Sequence, residues 1–258
     1  MGLKAEFRPC IDLHDGKVKQ IVGSTLEQAG TSSPQTNFVS GFPPEYFAEM
    51  YQKDGLRGGH VIQLGKGNQE AAAAALNAWR GGLQLGGGVT DANARFWLDA
   101  GAEKVIVTSF VFSDGMFKED KLNSLLKITG PDKLVLDLSC RKTSDGKYFV
   151  VTDRWQKFTT LELTAETLEK LGSFCSEFLI HAVDVEGKQS GIDENLISIL
   201  ATSATVPCVY AGGISSFEDI ALIEKAGAGR IHYTIGSALD IFGGKLSYAE
   251  VVHYAKSK

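Results

Sequence analysis

The second half of the chain repeats motifs of its first half at a spacing of about 125 residues. Ile11-Asp12-Leu13 corresponds to Leu136-Asp137-Leu138, and Leu85-Gly86-Gly87-Gly88-Val89 corresponds to Tyr210-Ala211-Gly212-Gly213-Ile214. In each half an Ala-Gly-Ala triplet, at 100–102 and at 226–228, precedes an apolar run that ends in a serine. Each half therefore holds one aspartate and two glycine or serine turns. This predicts two similar halves that share an acidic site with an anion pocket at each end.

Apolar runs and helix-like segments alternate along the 258 residues. Eight runs rich in Val, Ile, Leu or Tyr end near Asp12, Leu64, Leu85, Thr108, Leu138, Asp184, Tyr210 and Ile235. The segments 70–79, 91–100, 165–171 and 217–226 have helical composition and spacing. Eight strand-helix units predict one (β/α)8 barrel over residues 1–258, built from half-barrels of about 1–129 and 130–258. In this α/β fold the functional groups lie after the carboxyl ends of the strands, where the repeated motifs fall.

A doubly wound open sheet is the alternative architecture. It would place a glycine-rich fingerprint directly after the first strand. Here Asp12 follows the first strand, and the glycine groups follow the third and seventh. The barrel is therefore the favoured interpretation.

Charge and cysteine usage exclude several classes of function. The formal net charge is −5 and Lys and Arg form no basic stripe, which does not favour nucleic-acid binding. The histidines and the four cysteines have no zinc or CxxC spacing, so we expect no metal, no cofactor and a reducing compartment. No apolar run is long enough to span a membrane, and the first residues have no signal core. We expect a cytoplasmic monomer.

The two repeated aspartates are the candidate catalytic residues. Asp12 and Asp137 would lie at the ends of opposite strands and face each other across the barrel mouth. Two carboxylates in different environments can differ in pKa, so that one acts as a base and the other as an acid. Their placement alone does not say which is which.

The glycine and serine turns are candidate phosphate sites, because glycine lets the backbone approach an oxyanion and a following helix presents free N–H groups. One site would consist of Gly87, Gly88 and Ser109, and the other of Gly212, Gly213, Gly236 and Ser237. The second follows strands seven and eight, the usual place for a phosphate in this fold.

Two long loops follow strands one and five, the strands that carry the aspartates. Ser24–Pro44 and Ser139–Thr160 exceed the usual length of such connections, so we expect them to act as lids. Within the second loop, Ser144–Lys147 is typical of a hairpin turn. Trp155 in that loop is a candidate for stacking on a planar ligand.

The motifs resemble the phosphoribosylformimino-5-aminoimidazole carboxamide ribotide isomerases of histidine biosynthesis, a duplicated half-barrel family. The resemblance spans nearly the whole chain and is carried by Pro9–Leu13, Leu85–Val89, Ala211–Ser215 and Ile235–Ser237. It implies a substrate with a phosphate at each end and a cofactor-independent Amadori rearrangement of an aminoaldose to an aminoketose. By resemblance, Asp12 would remove the C2 proton, and Asp137 would be the acid that assists ring opening.

The chain departs from the family pattern at two places. Where the family usually has Asp-Gly-Thr after strand six, this chain has Val183-Asp184-Val185-Glu186-Gly187-Lys188, so Asp184 or Glu186 is a candidate third acid. Thr90 stands where an arginine often follows the third-strand glycines.

Two other functions stay open on the sequence. The cyclase subunit of imidazole glycerol phosphate synthase shares the barrel and usually has a cysteine at the position of Cys10. It carries a lysine, however, where this chain has Gln20. A non-catalytic binder of phosphorylated metabolites would keep the glycine turns without using the acids. The isomerase is the favoured interpretation.

Overall fold

Strands and helices alternate along the chain, which the computed structural model describes over residues 4–21, 36–186 and 191–257. In chain order the strands are β1 (Cys10–His14), β2 (Lys17–Ile21), β3 (Thr36–Val39), β4 (Gly59–Gln63), β5 (Leu83–Gly86), β6 (Val105–Val107), β7 (Phe112–Ser113), β8 (Met116–Phe117), β9 (Leu134–Lys142), β10 (Tyr148–Thr152), β11 (Lys157–Glu162), β12 (Glu177–Ala182), β13 (Cys208–Ala211) and β14 (Ile231–Thr234). The helices are α1 (Pro44–Lys53), α2 (Gln69–Ala78), α3 (Ala94–Asp99), α4 (Glu119–Thr129), α5 (Ala165–Gly172), α6 (Glu194–Ser203), α7 (Phe217–Ala226) and α8 (Tyr248–Lys256). A short 3-10 helix spans Asp240–Phe242.

Eight of these strands form a closed parallel barrel. Neighbouring strands pair in parallel in the order β1, β4, β5, β6, β9, β12, β13, β14. The residues before β1 close the ring against β14, because the Arg8 N–H donates to the Tyr233 carbonyl at 2.9 Å and the Tyr233 N–H donates to the Glu6 carbonyl at 3.0 Å. The predicted (β/α)8 barrel is confirmed, and β1 and β9 lie opposite each other in the ring.

The internal repeat extends beyond the sequence motifs. β13 follows β5 at the 125-residue spacing of the repeat. In each half the first barrel strand continues into antiparallel strands: β1 pairs with β2 and β2 with β3, while β9 pairs with β10 and β10 with β11. The predicted twofold repeat is confirmed, whereas its division near residue 129 stays a prediction.

The segment predicted as a second long loop is largely a β-hairpin. β9 continues to Lys142, and the chain returns as β10 and β11 because Tyr148–Thr152 is rich in aromatic and β-branched residues. The predicted turn at Ser144–Lys147 is confirmed by the Thr143 N–H, which donates to the Lys147 carbonyl at 2.8 Å. Of the first predicted loop, residues 24–35 lie outside the described residues, and its later part includes β3.

Side chains inside the barrel fall into three layers, because every second strand residue points inward. The lower layer is charged: Glu177, 2% exposed, accepts hydrogen bonds from Arg8 Nη1 at 2.6 Å, Gln84 Nε2 at 2.9 Å and Lys104 Nζ at 3.4 Å. Above it lies an apolar cluster of Ile62, Ile106, Val135, Leu179, Val209 and Ala211, of which Ile62 and Ala211 also line the pocket at the carboxyl end. It separates the charged lower layer from the polar side chains at the carboxyl ends of the strands.

The upper layer follows from the middle one by the same alternation. Asp137 stands two residues beyond Val135 on β9, and His181 stands two residues beyond Leu179 on β12. Both side chains therefore enter the barrel at its carboxyl end. The outward residues of the same strands, such as Ile180, are buried in the core that includes the helices.

Candidate active site

A pocket of about 940 Å³, its open mouth included, lies at the carboxyl end of the barrel. Residues from both halves of the chain line it. They are Cys10, Asp12, Gln20, His60, Ile62, Leu64, Trp155, His181, Glu186, Ala211, Gly212, Gly213, Ile214, Thr234, Ile235, Gly236, Ser237 and Ala238. Polar and titratable groups thus meet glycine turns in a single cavity.

Asp12 enters this pocket from β1. The β1–β2 hairpin brings Gln20 back over it, and Gln20 Nε2 donates a hydrogen bond to Asp12 Oδ2 at 2.9 Å. Burial raises the pKa of Asp12 to about 6, the Gln20 hydrogen bond opposes this shift, and the nearby Glu186 adds to it. A carboxylate with a pKa near the working pH is suited to general base catalysis.

Asp137 lies on the opposite strand, as predicted, but does not line the pocket. It is buried, and both of its oxygens are engaged: Thr108 Oγ1 donates to Oδ2 at 2.9 Å, and His181 Nδ1 lies 2.8 Å from Oδ1. The two predicted acids therefore occupy different environments, one at the pocket surface and one enclosed by hydrogen-bond donors.

His181 stands between Asp137 and the pocket. Its place on a strand is compatible with a position inside the barrel, but the sequence does not indicate its pairing with Asp137. Burial opposes the charged form of its imidazole, but the carboxylates of Asp137, Glu186 and Asp12 together raise the pKa of His181 to about 9. It therefore forms an ion pair with Asp137 at neutral pH. The inward alternation of Glu177, Leu179 and His181 along the sixth barrel strand is the sequence signal for its position inside the barrel.

The structure separates the two candidates for a third acid. Glu186 lines the pocket, and its buried Oε2 has no hydrogen-bond partner among the described residues. Burial raises the pKa of Glu186; the nearby His181 counteracts this shift and Asp137 adds to it. Asp184 is outside the pocket and pairs instead with Arg141, whose Nε lies 3.2 Å from Asp184 Oδ1.

The second predicted phosphate turn is part of the pocket. Gly212, Gly213, Gly236 and Ser237 all line it together with Asp12. Gly213 has φ +75°, and a side chain there would collide with the Gly191 carbonyl. The N–H groups of Ser215 and Ser216 donate to Asp219 Oδ2 at 2.8 and 3.0 Å. The start of α7 is thus occupied by its own carboxylate, which leaves the glycine backbones as the groups that face the pocket.

The first predicted phosphate turn is not part of this pocket. Gly87 and Gly88 follow β5 and Ser109 follows β6, so they lie at the same end of the barrel. Gly87 has φ +88°, and a side chain there would collide with the Gln63 carbonyl, while Gly88 and Ser109 are exposed. Thr90, which replaces the arginine of the family pattern, uses its N–H in a 2.8 Å bond to Asn93 Oδ1.

Trp155 reaches the pocket from the turn between β10 and β11. Asp153, Arg154 and Trp155 have φ values of 54°, 60° and 68°, the left-handed region that costs a side-chain-bearing residue about 1–2 kcal/mol. Arg141 Nη1 donates to the Trp155 carbonyl at 3.4 Å, and Arg141 also holds Asp184. This turn therefore carries an aromatic ring to the edge of the cavity in a strained conformation.

One group of pocket side chains has the composition of a metal site. The ligand atoms of Cys10, Asp12 and His60 lie within 4.8 Å of one another. Burial raises the pKa of the Cys10 thiol well above its usual range and lowers the pKa of His60 to about 4, so the thiol is protonated and the imidazole neutral at pH 7. The absence of a metal stays a prediction.

Fold and site together define the class of this protein: a duplicated (β/α)8 barrel whose carboxyl end combines titratable side chains and glycine turns in one pocket. The model of the family described as histidine biosynthesis protein matches residues 6–247. The chain belongs to that family.

Several relatives are similar over almost the whole chain. The 1-(5-phosphoribosyl)-5-((5-phosphoribosylamino)methylideneamino)imidazole-4-carboxamide isomerase of Neurospora crassa is 54% identical over 241 residues, 93% of each protein. The isomerase of that name from Saccharomyces cerevisiae is 47% identical over 246 residues, 93% of this chain and 94% of the relative. A Medicago truncatula isomerase, named as chloroplastic, is 50% identical over 252 residues, 96% of this chain and 80% of the relative.

Proposed function

We propose that the chain is an aldose–ketose isomerase of histidine biosynthesis. It would convert phosphoribosylformimino-5-aminoimidazole carboxamide ribotide to its phosphoribulosyl isomer. The observation that carries the proposal is the meeting in one pocket of Asp12, with a pKa of about 6, and the glycine turns at 212–213 and 236–237. The relatives reported above bear the isomerase name, which supports this function over the cyclase and the non-catalytic binder.

The substrate follows from the relatives' name and the two glycine turns. That name contains two 5-phosphoribosyl groups, so their substrate carries two phosphates. Gly212, Gly213, Gly236 and Ser237 would hold the phosphate nearer Asp12. Gly87, Gly88 and Ser109, on the other side of the barrel end, would hold the second, and Trp155 would stack on the imidazole between them.

The reaction needs a base and an acid but no cofactor. A proton reaches the ring oxygen as the C1–O bond breaks and the nitrogen lone pair forms a C1=N bond. Asp12 then takes the proton from C2. The electron pair of the C2–H bond forms the C1=C2 bond of an aminoenol, and the π pair of the C1=N bond returns to the nitrogen. Protonation of C1 and loss of the enol proton give the aminoketose. Each positioned acid or base contributes roughly 10²- to 10⁴-fold. Asp137 would take part in the donation of the proton to the ring oxygen.

The uncharged Gln20 favours the isomerase over the cyclase. The cyclase family has a lysine at this position, which would place a positive charge beside Asp12. Here the amide hydrogen bond of 2.9 Å leaves burial as the dominant influence, so the pKa of Asp12 stays near 6.

We also propose that the protein is located in the cytoplasm and is a monomer. No helix among the described residues has the length and apolar character to cross a membrane. Light scattering on the purified chain tests the monomer, and a species at twice the 27.8 kDa chain mass would contradict it.

Turnover with the ribotide tests the isomerase. The purified full chain is incubated with the ribotide in a chelating buffer, and formation of the phosphoribulosyl isomer is followed. Asp12→Asn and Asp137→Asn should each lower kcat by about 10²-fold or more. Asp15→Asn is the matched control, because Asp15 is exposed in the adjoining turn and pairs with Lys19 at 2.8 Å. Undiminished turnover in both active-site variants, or none in the wild type, would overturn the proposal.

A further inference from the structure

Beside Asp137, the pocket is lined by an imidazole and not by the predicted acid. His181 lines the cavity, whereas Asp137 does not. The His181 side chain is 21% exposed, and its Nδ1 lies 2.8 Å from Asp137 Oδ1. Among the described residues no hydrogen bond engages its second ring nitrogen, Nε2. The imidazole therefore turns one nitrogen to Asp137 and leaves the other for a ligand.

We propose that His181 is the catalytic acid, that its Nε2–H protonates the ring oxygen of the substrate, and that Asp137 is a positioning residue that holds the imidazole. This inference rests on the proposed isomerase function and assigns one proton transfer within it. It changes the role of Asp137 from proton donor to the partner of one.

The contacts of Asp137 explain why it is not the donor itself. One of its oxygens accepts the Thr108 hydroxyl at 2.9 Å, and the other accepts His181 Nδ1–H at 2.8 Å. Both oxygens are therefore already used as acceptors within the protein, and neither faces the pocket. An aspartate that fixes one imidazole nitrogen also orients the other nitrogen.

The charges around His181 keep it protonated. Three carboxylates on different elements raise the pKa of His181: Asp137 on β9, Glu186 in the segment after β12, and Asp12 on β1. His60 on β4 is a further titratable neighbour, and burial lowers its pKa to about 4, so it adds no positive charge at neutral pH. Burial itself opposes the charge on His181, but the carboxylates prevail and raise its pKa to about 9.

The proton balance closes over one turnover. His181 gives its Nε2 proton to the ring oxygen while the C1–O bond breaks and the C1=N bond forms, which leaves a neutral imidazole. Asp12 moves the C2 proton to C1 through the aminoenol. The enol hydroxyl then releases its proton to the imidazole as the C2 carbonyl forms, and both residues return to their starting state.

Glu186 is the competing donor. Its Oε2 would lie 3.1 Å from a Cβ placed on Gly212, so the carboxyl group sits against the glycine turn. It also contributes to the raised pKa of Asp12. His181 is hydrogen-bonded to Asp137, whereas Glu186 Oε2 has no hydrogen-bond partner among the described residues, so the contact that orients a proton donor belongs to His181. The variant Glu186→Gln tests the alternative.

Kinetics against pH separate the two donors. In the wild type, kcat/KM should fall as the pH rises through about 9, because His181 loses its proton there. His181→Gln should lower kcat by about 10²- to 10⁴-fold, leave KM within about threefold and abolish this alkaline limb. His232→Gln is the matched control: His232 lies on β14 but accepts the Glu6 N–H at 3.1 Å, away from the pocket, and kcat and the limb should be unchanged.

A titration of the wild-type chain avoids any folding defect of the variants. In ¹⁵N-histidine-labelled protein, the His181 resonances, assigned by their loss in His181→Gln, should titrate near pH 9, and Asp137→Asn should move that titration to lower pH. An active wild type with an unaltered alkaline limb in His181→Gln, or a limb lost only in Glu186→Gln, would overturn this assignment but not the isomerase. An inactive wild type would overturn both.

Discussion

Gln20 links Asp12 to the glycine turn after β14. Its Nε2 donates to Asp12 Oδ2 at 2.9 Å, while its Oε1 would lie only 2.6 Å from a Cβ placed on Gly236. Gln20 is 4% exposed, so its amide fills the space between the proposed base and the proposed anion site. A side chain that contacts both groups couples the proton affinity of Asp12 to the position of the turn.

The first prediction concerns this amide. Gln20→Leu removes a donor that stabilises ionised Asp12, so the pKa of Asp12 should rise above its present value of about 6. Because Asp12 must be ionised to act as a base, activity falls as the pH falls through this pKa. The acidic limb of kcat/KM should therefore move to higher pH by about one unit, since one unit corresponds to ~1.4 kcal/mol, the size of one such hydrogen bond. A limb that stays in place would contradict this role of Gln20.

The repeat made part of the site predictable. Asp12, Asp137 and the glycine turn at 212–213 follow apolar runs at the carboxyl ends of strands, and this position depends only on alternation and chain order. The two halves carried the same motifs, so the opposite placement of the aspartates was also predictable. These features are local in sequence, and the barrel brings them to one end.

The partners of these residues were not predictable in the same way. His181 contacts Asp137 across 44 residues and Thr108 contacts it across 29, so their pairing depends on which strands neighbour each other. Gln20 reaches Asp12 because the β1–β2 hairpin folds β2 back beside β1. The sequence predicts a loop at Ser139–Thr160 with a hairpin turn at Ser144–Lys147, and the structure extends that hairpin into the strands β9, β10 and β11.

The second prediction concerns the lower layer of the barrel. Glu177→Gln leaves the buried charges of Arg8 and Lys104 without their carboxylate, so the free energy of unfolding should fall by about 3–5 kcal/mol at pH 7. These partners hold the pKa of Glu177 below its usual range although burial opposes them. The stabilisation is therefore present above the unfolded-state pKa of about 4.3 and is lost as the pH falls through the folded-state value.

Urea unfolding from pH 7 to pH 3 measures this loss, and the difference between wild type and variant should shrink at the acid end. Glu162→Gln is the control: its partner Lys147 lies at 3.1 Å, but the pair is 33% and 52% exposed. Such a pair contributes about 0–1 kcal/mol. Equal effects of the two variants would show that the lower layer does not depend on Glu177.

The third prediction concerns the glycine turn in the pocket. Gly213→Ala must accommodate both a φ of +75° and a collision with the Gly191 carbonyl, so the turn should shift and KM for the ribotide should rise at least tenfold. Gly81→Ala separates the two causes, because Gly81 has φ +72° with no atom within 4 Å of its Cβ position. That control should lose only about 1–2 kcal/mol of stability and keep its KM. A Gly213→Ala variant with wild-type KM would remove this turn from the phosphate site.

The fourth prediction concerns Trp155, which lines the pocket, whereas the other two tryptophans, Trp79 and Trp97, are 5% and 2% exposed in the core. Substrate should therefore change the fluorescence of Trp155 alone, and Trp155→Phe should abolish that change. Trp155→Ala should raise KM about tenfold, or ~1.4 kcal/mol, which lies within the roughly 1–3 kcal/mol of aromatic stacking on a base. Stopped-flow fluorescence with the slowly reacting Asp12→Asn background measures binding without turnover. If the fluorescence change survives in Asp12→Asn/Trp155→Phe, the ligand reaches a core tryptophan through a conformational change and Trp155 does not stack on it.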